Sequence, residues 1–214
     1  MGEFRVHKWL WIERHSPKQF YKRLRGYNMP TWKIHNKWAE RMGIPSEITN
    51  YVNSLIDFPK ECSEYLDFCA EIIKWSDYYE GRNSKYPFRS RDFRTTESLQ
   101  SRQTQLRSLR RDDPNMFCKL LYIGHDSSRS ISQDLQAHIQ LSFLNTKGTE
   151  YVKAWYLHHI LDYIEKVAHS FSLEEMFERL NDRTRPCDEF DIAKSFVRNH
   201  QTEILQDLGY DEDH

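Results

Sequence analysis

The sequence has no alternating apolar and polar run closed by a hairpin turn, and most of its seven glycines fall where helices would end. Both absences argue against a sheet-based fold. No apolar run approaches the roughly 20 residues that cross a bilayer. Near the start, charges interrupt the apolar stretch Trp9-Leu10-Trp11-Ile12, so no secretory signal is read there. Cysteine is sparse. The four thiols (Cys62, Cys69, Cys118, Cys187) show no C-x-x-C spacing, and a reduced, cytoplasmic setting is the expectation. Cys62 and Cys69 share one apolar helical stripe, where buried free thiols are ordinary. Cys118 and Cys187 have apolar or acidic neighbours that do not activate a nucleophilic thiol. Gly-rich phosphate loops, G-x-S-x-G and H-E-x-x-H are all missing. With a net charge of -1, bulk charge points neither to nucleic acid nor to membrane.

What is present is aromatic and helical. Mean hydropathy is -0.83, polar for a folded chain, yet aromatics make up 14% of the residues and each buries a large area. Thr31 can cap a helix closed by Gly43. Ser46 and Glu47 open another that stops near Asp57, before Pro59. Periodicity predicts one long helix over 60–80, and Thr95 or Thr96 starts the next. Asp113-Pro114 starts a helix running to Gly124. Capping boxes at Ser130/Gln133 and Ser172/Glu175, a long helix over 151–171 and a last helix over 189–208 complete the pattern. The fold class is all-α, a bundle of about nine or ten helices over residues 1–214. It reads as a single domain, with a subdivision near 85 as the alternative (1–85 and 95–214).

Five of the ten histidines lie in the third of the chain that begins at Gly124: His125, His138, His158, His159 and His169. His125-Asp126 follows a helix end. Asp134 and His138 are four apart, as are His158 and Asp162, so each pair shares a helix face and can grip one ion. Imidazole and carboxylate are the ligands a divalent metal takes near neutral pH, and Arg129 can fork onto a phosphate. Over residues 120–165 this pattern resembles the HD-domain phosphohydrolase superfamily, an all-helical family that binds one or two metals. The resemblance implies that His125 and Asp126 match the family's central pair and that His158 or His159 stands for its later histidines. It further implies that Asp162 is the closing aspartate, with His35 as the upstream histidine. A divalent cofactor (Mn, Fe, Ni, Zn or Mg) and a phosphate-containing small molecule or nucleic acid as substrate follow as expectations, with Asp126 and Arg129 in catalytic roles.

Against this stands a plainer reading of the helix over 151–171. On a helical wheel Tyr156, Ile160, Ile164, Val167 and Phe171 cluster on one side, while His158, Asp162, Glu165 and His169 form a stripe almost opposite. That stripe is expected to be solvated, and His159 to sit at the apolar boundary. A second class of function rests on residues 31–57, which look like a helix-turn-helix. There Ser46, Thr49, Asn50 and Asn53 would face base edges, and the Arg-rich segment 82–111, with Arg89, Arg91 and Arg94, would supply phosphate contacts. A protein-interaction scaffold is the third reading.

Overall fold

The computed structural model describes residues 31–71, 96–121, 123, 135–168, 170–183 and 187–210. Among the described residues there are ten α-helices and no strand. They are α1 (Trp32–Arg41), α2 (Ser46–Asp57), α3 (Ser63–Glu71), α4 (Thr96–Asp112), α5 (Pro114–Leu120), α6 (Leu135–Asn145), α7 (Thr149–Val167), α8 (Leu173–Arg183), α9 (Asp188–Asn199) and α10 (Gln201–Asp207). The all-α bundle expected from the sequence is what forms. None of these helices is long and apolar enough to cross a membrane.

Local chemistry explains where several helices begin and end. Gly43 has φ +86 and lets the chain turn sharply after α1. Its N–H donates to the Glu40 carbonyl at 2.9 Å and the Ile44 N–H to the Ala39 carbonyl at 2.9 Å, which satisfies carbonyls that the helix end leaves open. Gly209 ends α10 with the same pair of bonds, to Gln206 and Leu205. The Asp113 carboxylate accepts the Met116 N–H at 3.0 Å, with Pro114 in the first turn of α5. Ser172 and Glu175 form the reciprocal capping box ahead of α8, at 2.9 and 3.4 Å. Thr31 stands at the start of α1, but its side chain caps nothing.

One helix expected from the sequence is two. The run over 189–208 breaks at His200, between α9 and α10. The His200 Nδ1 sits 2.8 Å from the Phe196 carbonyl, the acceptor its own backbone N–H would use in a continuous helix. That N–H turns to the Val197 carbonyl instead, at 3.2 Å, so a side chain competes with the ladder and opens it. For the long helix expected over 60–80, the described part is α3. The Ser130/Gln133 box and the basic, aromatic residues 1–30 lie outside the described residues.

Helix α7 is the hub. It packs against α9, α2, α6 and α1, and it buries Val152, Ala154, Trp155, Tyr156, Leu157, His158, His159, Ile160, Leu161 and Ile164. Ten buried positions within 19 residues exceed a single amphipathic stripe, so this helix is covered on more than one side. α1 and α2 form a hairpin against it, held by Trp38, Ala39, Ile44, Val52, Leu55 and Ile56, all essentially inaccessible. Burying each of the aliphatic Ile44, Val52, Leu55 and Ile56 contributes about 1.5–3 kcal/mol. α3 links α4 to α6, and α5 packs on α4.

Replacing Gly43 tests the turn that aims α2 at α7. A Cβ there meets nothing within 4 Å, so the cost of Gly43→Ala is conformational alone, ~1–2 kcal/mol for a left-handed alanine. A urea midpoint lowered by that free energy divided by the slope, with the slope unchanged, is expected, and an unchanged midpoint would show that the turn is not constrained.

Candidate metal centre

The polar stripe of α7 is not solvated, and the expectation is corrected here. His158 keeps 3% of its surface exposed, the Asp162 side chain 16%, and Glu165 is half-buried. A helical wheel reports which residues share a face but not what covers it. α1 and α2 lie against α7 and bring polar side chains of their own to meet the stripe.

His35 comes from α1, with 3% of its surface exposed. Its Nε2 lies 3.2 Å from Asp162 Oδ1, while His158 Nε2 lies 3.2 Å from Asp162 Oδ2. The two imidazoles are 4.0 Å apart between ring centroids, tilted by 42°, so each faces one oxygen of the same carboxylate. His35 Nε2 and Asp162 Oδ1 are buried at that separation without the alignment of a hydrogen bond, and His35 Nδ1 is likewise unpartnered. On its other edge His158 is held firmly: its Nδ1 is 2.8 Å from Asn53 Oδ1 on α2. The Asn53 amide donates onward to Asn36 Oδ1 at 3.0 Å, and Asn36 donates to Asn50 Oδ1 at 2.7 Å.

Burial and neighbours set the charges. Burial pushes the His35 imidazole below its ordinary 6.5, His158 adds to that, and Asp162 opposes it. Burial alone would raise the Asp162 carboxyl, yet His158 and His35 outweigh it and hold the group below its ordinary 3.8. Glu165, one turn on, is pushed up from 4.5 to about 7 by its burial and by the Asp162 charge. The centre therefore offers a neutral His35 and an ionised Asp162, the states in which these groups bind metal.

His35, His158 and Asp162 form a group that can hold a metal ion, with ligand atoms all within 4.8 Å of one another. Two imidazole nitrogens and one carboxylate oxygen suit Mn, Fe, Ni or Zn, whereas Mg prefers an all-oxygen shell. The unpartnered, buried His35 Nε2 and Asp162 Oδ1 fit a shared cation better than they fit each other. Three of the residues that the sequence pattern nominated as ligands thus meet from two helices.

Of the other nominees, only some lie among the described residues. His159 is buried, but its ring stands edge-on to Trp155 at 4.1 Å and 5.3 Å from the His158 ring, and it does not belong to the ligand group. Gln140 accepts the Trp155 Nε1–H beside it at 2.8 Å. His125, Asp126 and Arg129 lie outside the described residues, as do Arg89, Arg91 and Arg94. Of the helix-turn-helix residues, Ser46 and Asn50 are exposed. Thr49 is not available to a base edge, a second correction: it faces the core with 3% of its surface exposed, and its hydroxyl bonds back to the Pro45 carbonyl at 3.3 Å. Asn53, with no exposed surface, is committed to His158 and Asn36. Burial pushes the Cys69 thiol up to about 12 and raises Cys118, so neither is an activated nucleophile. Asn53, expected at a base edge, meets His158 instead, and Asn36 beside it carried no role in the sequence pattern. The available signal was an asparagine on the buried stripe of α2, between Val52 and Ile56.

Comparison with known proteins found no matching family model, no similar curated protein and no similar solved structure.

The titrating groups of the centre pull in opposite directions with pH. His35 is neutral when folded but takes up a proton on unfolding below 6.5, so its contribution to stability is full above that value and is lost on acidification. The Asp162 contribution is full above 3.8 and is lost as pH falls through its lowered folded value. The raised Glu165 contributes fully below 4.5, and that contribution is lost as pH rises through about 7. Glu165→Gln is therefore expected to raise the thermal midpoint at pH 8 and to leave it nearly unchanged at pH 4. Equal shifts at both pH values, followed by circular dichroism, would show that ionisation of Glu165 is not the cause.

Proposed function

We propose that the protein is a metal-dependent phosphohydrolase whose His35, His158 and Asp162 hold one divalent transition-metal ion. The observation that carries the reading is the convergence of two buried imidazole Nε2 atoms on the two oxygens of one ionised carboxylate, each at 3.2 Å. Three protein ligands leave coordination positions for water and substrate, as catalytic metal sites do. The donor set carries one negative charge, so a site loaded with a divalent ion keeps a net positive charge and attracts an anion. A phosphate ester is the anionic substrate class that the resemblance at residues 120–165 also supports, whether in a small molecule or a nucleic acid. His125 and Asp126 would lie at the open side of the site as further donors, and Arg129 would grip the phosphate as a bidentate donor.

A bound divalent ion supplies Lewis acidity and an activated water. The chain's own groups do the rest. His35 remains available as a neutral ligand, Asp162 stays ionised, and the surrounding helices limit access of bulk water. Glu165, whose carboxyl is pushed up to about 7 by its burial and by the Asp162 charge, is the nearby carboxyl suited to exchanging a proton at its Oε atoms in neutral solution.

Metal content and calorimetric titration with Mn²⁺ and Zn²⁺ test the reading. The wild type is expected to take up one equivalent. Asp162→Asn, which keeps the shape of the side chain, is expected to weaken binding by more than the ~10–100-fold typical of an outer-shell change, with helicity retained. Turnover of bis(p-nitrophenyl) phosphate should appear with metal and vanish in Asp162→Asn. A wild type that binds neither ion overturns the metal centre; a metal-loaded wild type that cleaves neither phosphodiesters nor nucleotides overturns the phosphohydrolase.

A further inference from the structure

The three asparagines behind His158 form a directed chain. Each amide has a donor end and an acceptor end, so the orientation of one dictates that of the next. Asn50 Oδ1 accepts from Asn36 Nδ2 at 2.7 Å, which turns Asn36 Oδ1 toward Asn53. Asn53 Nδ2 fills that oxygen at 3.0 Å, which turns Asn53 Oδ1 toward His158. An oxygen 2.8 Å from Nδ1 requires that Nδ1 carry the proton, and the neutral ring then has its Nε2 lone pair directed at Asp162. That is the tautomer a metal needs. With every amide reversed, the chain closes equally well: Asn53 donates to Nδ1, Nε2 carries the proton, and that proton points at the Asp162 oxygen 3.2 Å away. The first direction turns the Nε2 edge to the carboxylate without a proton of the neutral ring, so that a metal ion, or a second proton that makes the ring an imidazolium, fits between them; the second places the neutral ring's one proton there and shuts the metal out.

We propose that Asn53, Asn36 and Asn50 form a relay whose direction sets the His158 tautomer, so that an exposed amide governs the metal affinity of a buried centre. The inference rests on the reading of His158 as a metal ligand. Asn53 acts as a positioning residue. It has no exposed surface, whereas Asn50 at the far end is exposed and can meet water, an ion or a partner's side chain. Whatever donates to Asn50 or accepts from it biases the chain.

Substitution of Asn50 tests this without entering the core, with Zn²⁺ affinity of the full chain as the readout. Asn50→Asp can only accept, so it holds the chain in the metal-ready direction and tightens Zn²⁺ binding. Asn50→Lys can only donate, so it holds the reverse direction and weakens binding, with a difference of about tenfold between the two. Because these variants also differ in charge, the same pair is measured in an Asn36→Leu background, where the relay is cut. The difference is expected to collapse there. At the buried end, Asn53→Asp keeps the acceptor for Nδ1 and retains affinity, while Asn53→Ala loses about 10–100-fold; a merely structural asparagine would lose affinity in both. A difference that persists with Asn36→Leu, or equal losses for Asn53→Asp and Asn53→Ala, overturns the relay while the wild type still binds metal. A wild type that binds no Zn²⁺ instead removes the metal centre on which the relay depends.

Discussion

The structure turns on the burial of a polar stripe along α7. A central helix that carries His158 and Asp162 within its buried length can pack only if neighbouring helices supply partners, because an unpartnered buried charge costs several kcal/mol. α1 supplies His35 and α2 supplies Asn53. The demand runs both ways. Without Asp162 the His35 Nε2 would face no charge, and without His158 the buried Asn53 Oδ1 would lose the partner it has at 2.8 Å. The hairpin of α1 and α2 is therefore matched to one side of α7 by polar chemistry as well as by shape.

Apolar packing holds that match in register. Trp38 and Ala39 have no exposed surface and follow His35 on the next turn of α1, which fixes the height at which the imidazole meets Asp162. The Arg41 guanidinium lies 4.5 Å over the Trp38 ring and pairs with Glu203 at 2.5 Å on α10, as Lys37 pairs with Asp207 at 2.5 Å. These ion pairs are exposed, and such pairs contribute little on their own, about 0–1 kcal/mol each. They tie α1 to α10 at the surface, whereas the buried tryptophan decides where His35 points.

The same packing separates the two adjacent histidines of α7. Successive helical residues point about 100° apart, so His158 turns to α1 and α2 while His159 turns to Trp155 and the α6 side. Only one of the pair can join a centre built between α7 and the N-terminal hairpin. The asparagine chain behind His158 gives that histidine a fixed outer edge, which is the support a metal-binding imidazole needs.

Much of the fold was legible because the signals were local. Gly43 and Gly209 end helices through their left-handed conformation, Asp113-Pro114 and Ser172 with Glu175 start them, and Pro59 follows α2 as a stop; each acts within a turn of its own position. The four-residue spacing of His158 and Asp162 likewise guaranteed a shared helix face. Tertiary structure decided the rest. Whether that face met solvent or another helix depended on segments far away in the chain, such as Asn53, 105 residues from His158, and no periodicity within α7 carries that information. The break at His200 came from a ring competing with its own backbone for one carbonyl, an event invisible to apolar spacing. The sequence alone therefore determined the helical class, several of the helix ends and which side chains share a face. Only packing determined which faces are covered, because burial belongs to a pair of surfaces and not to either one.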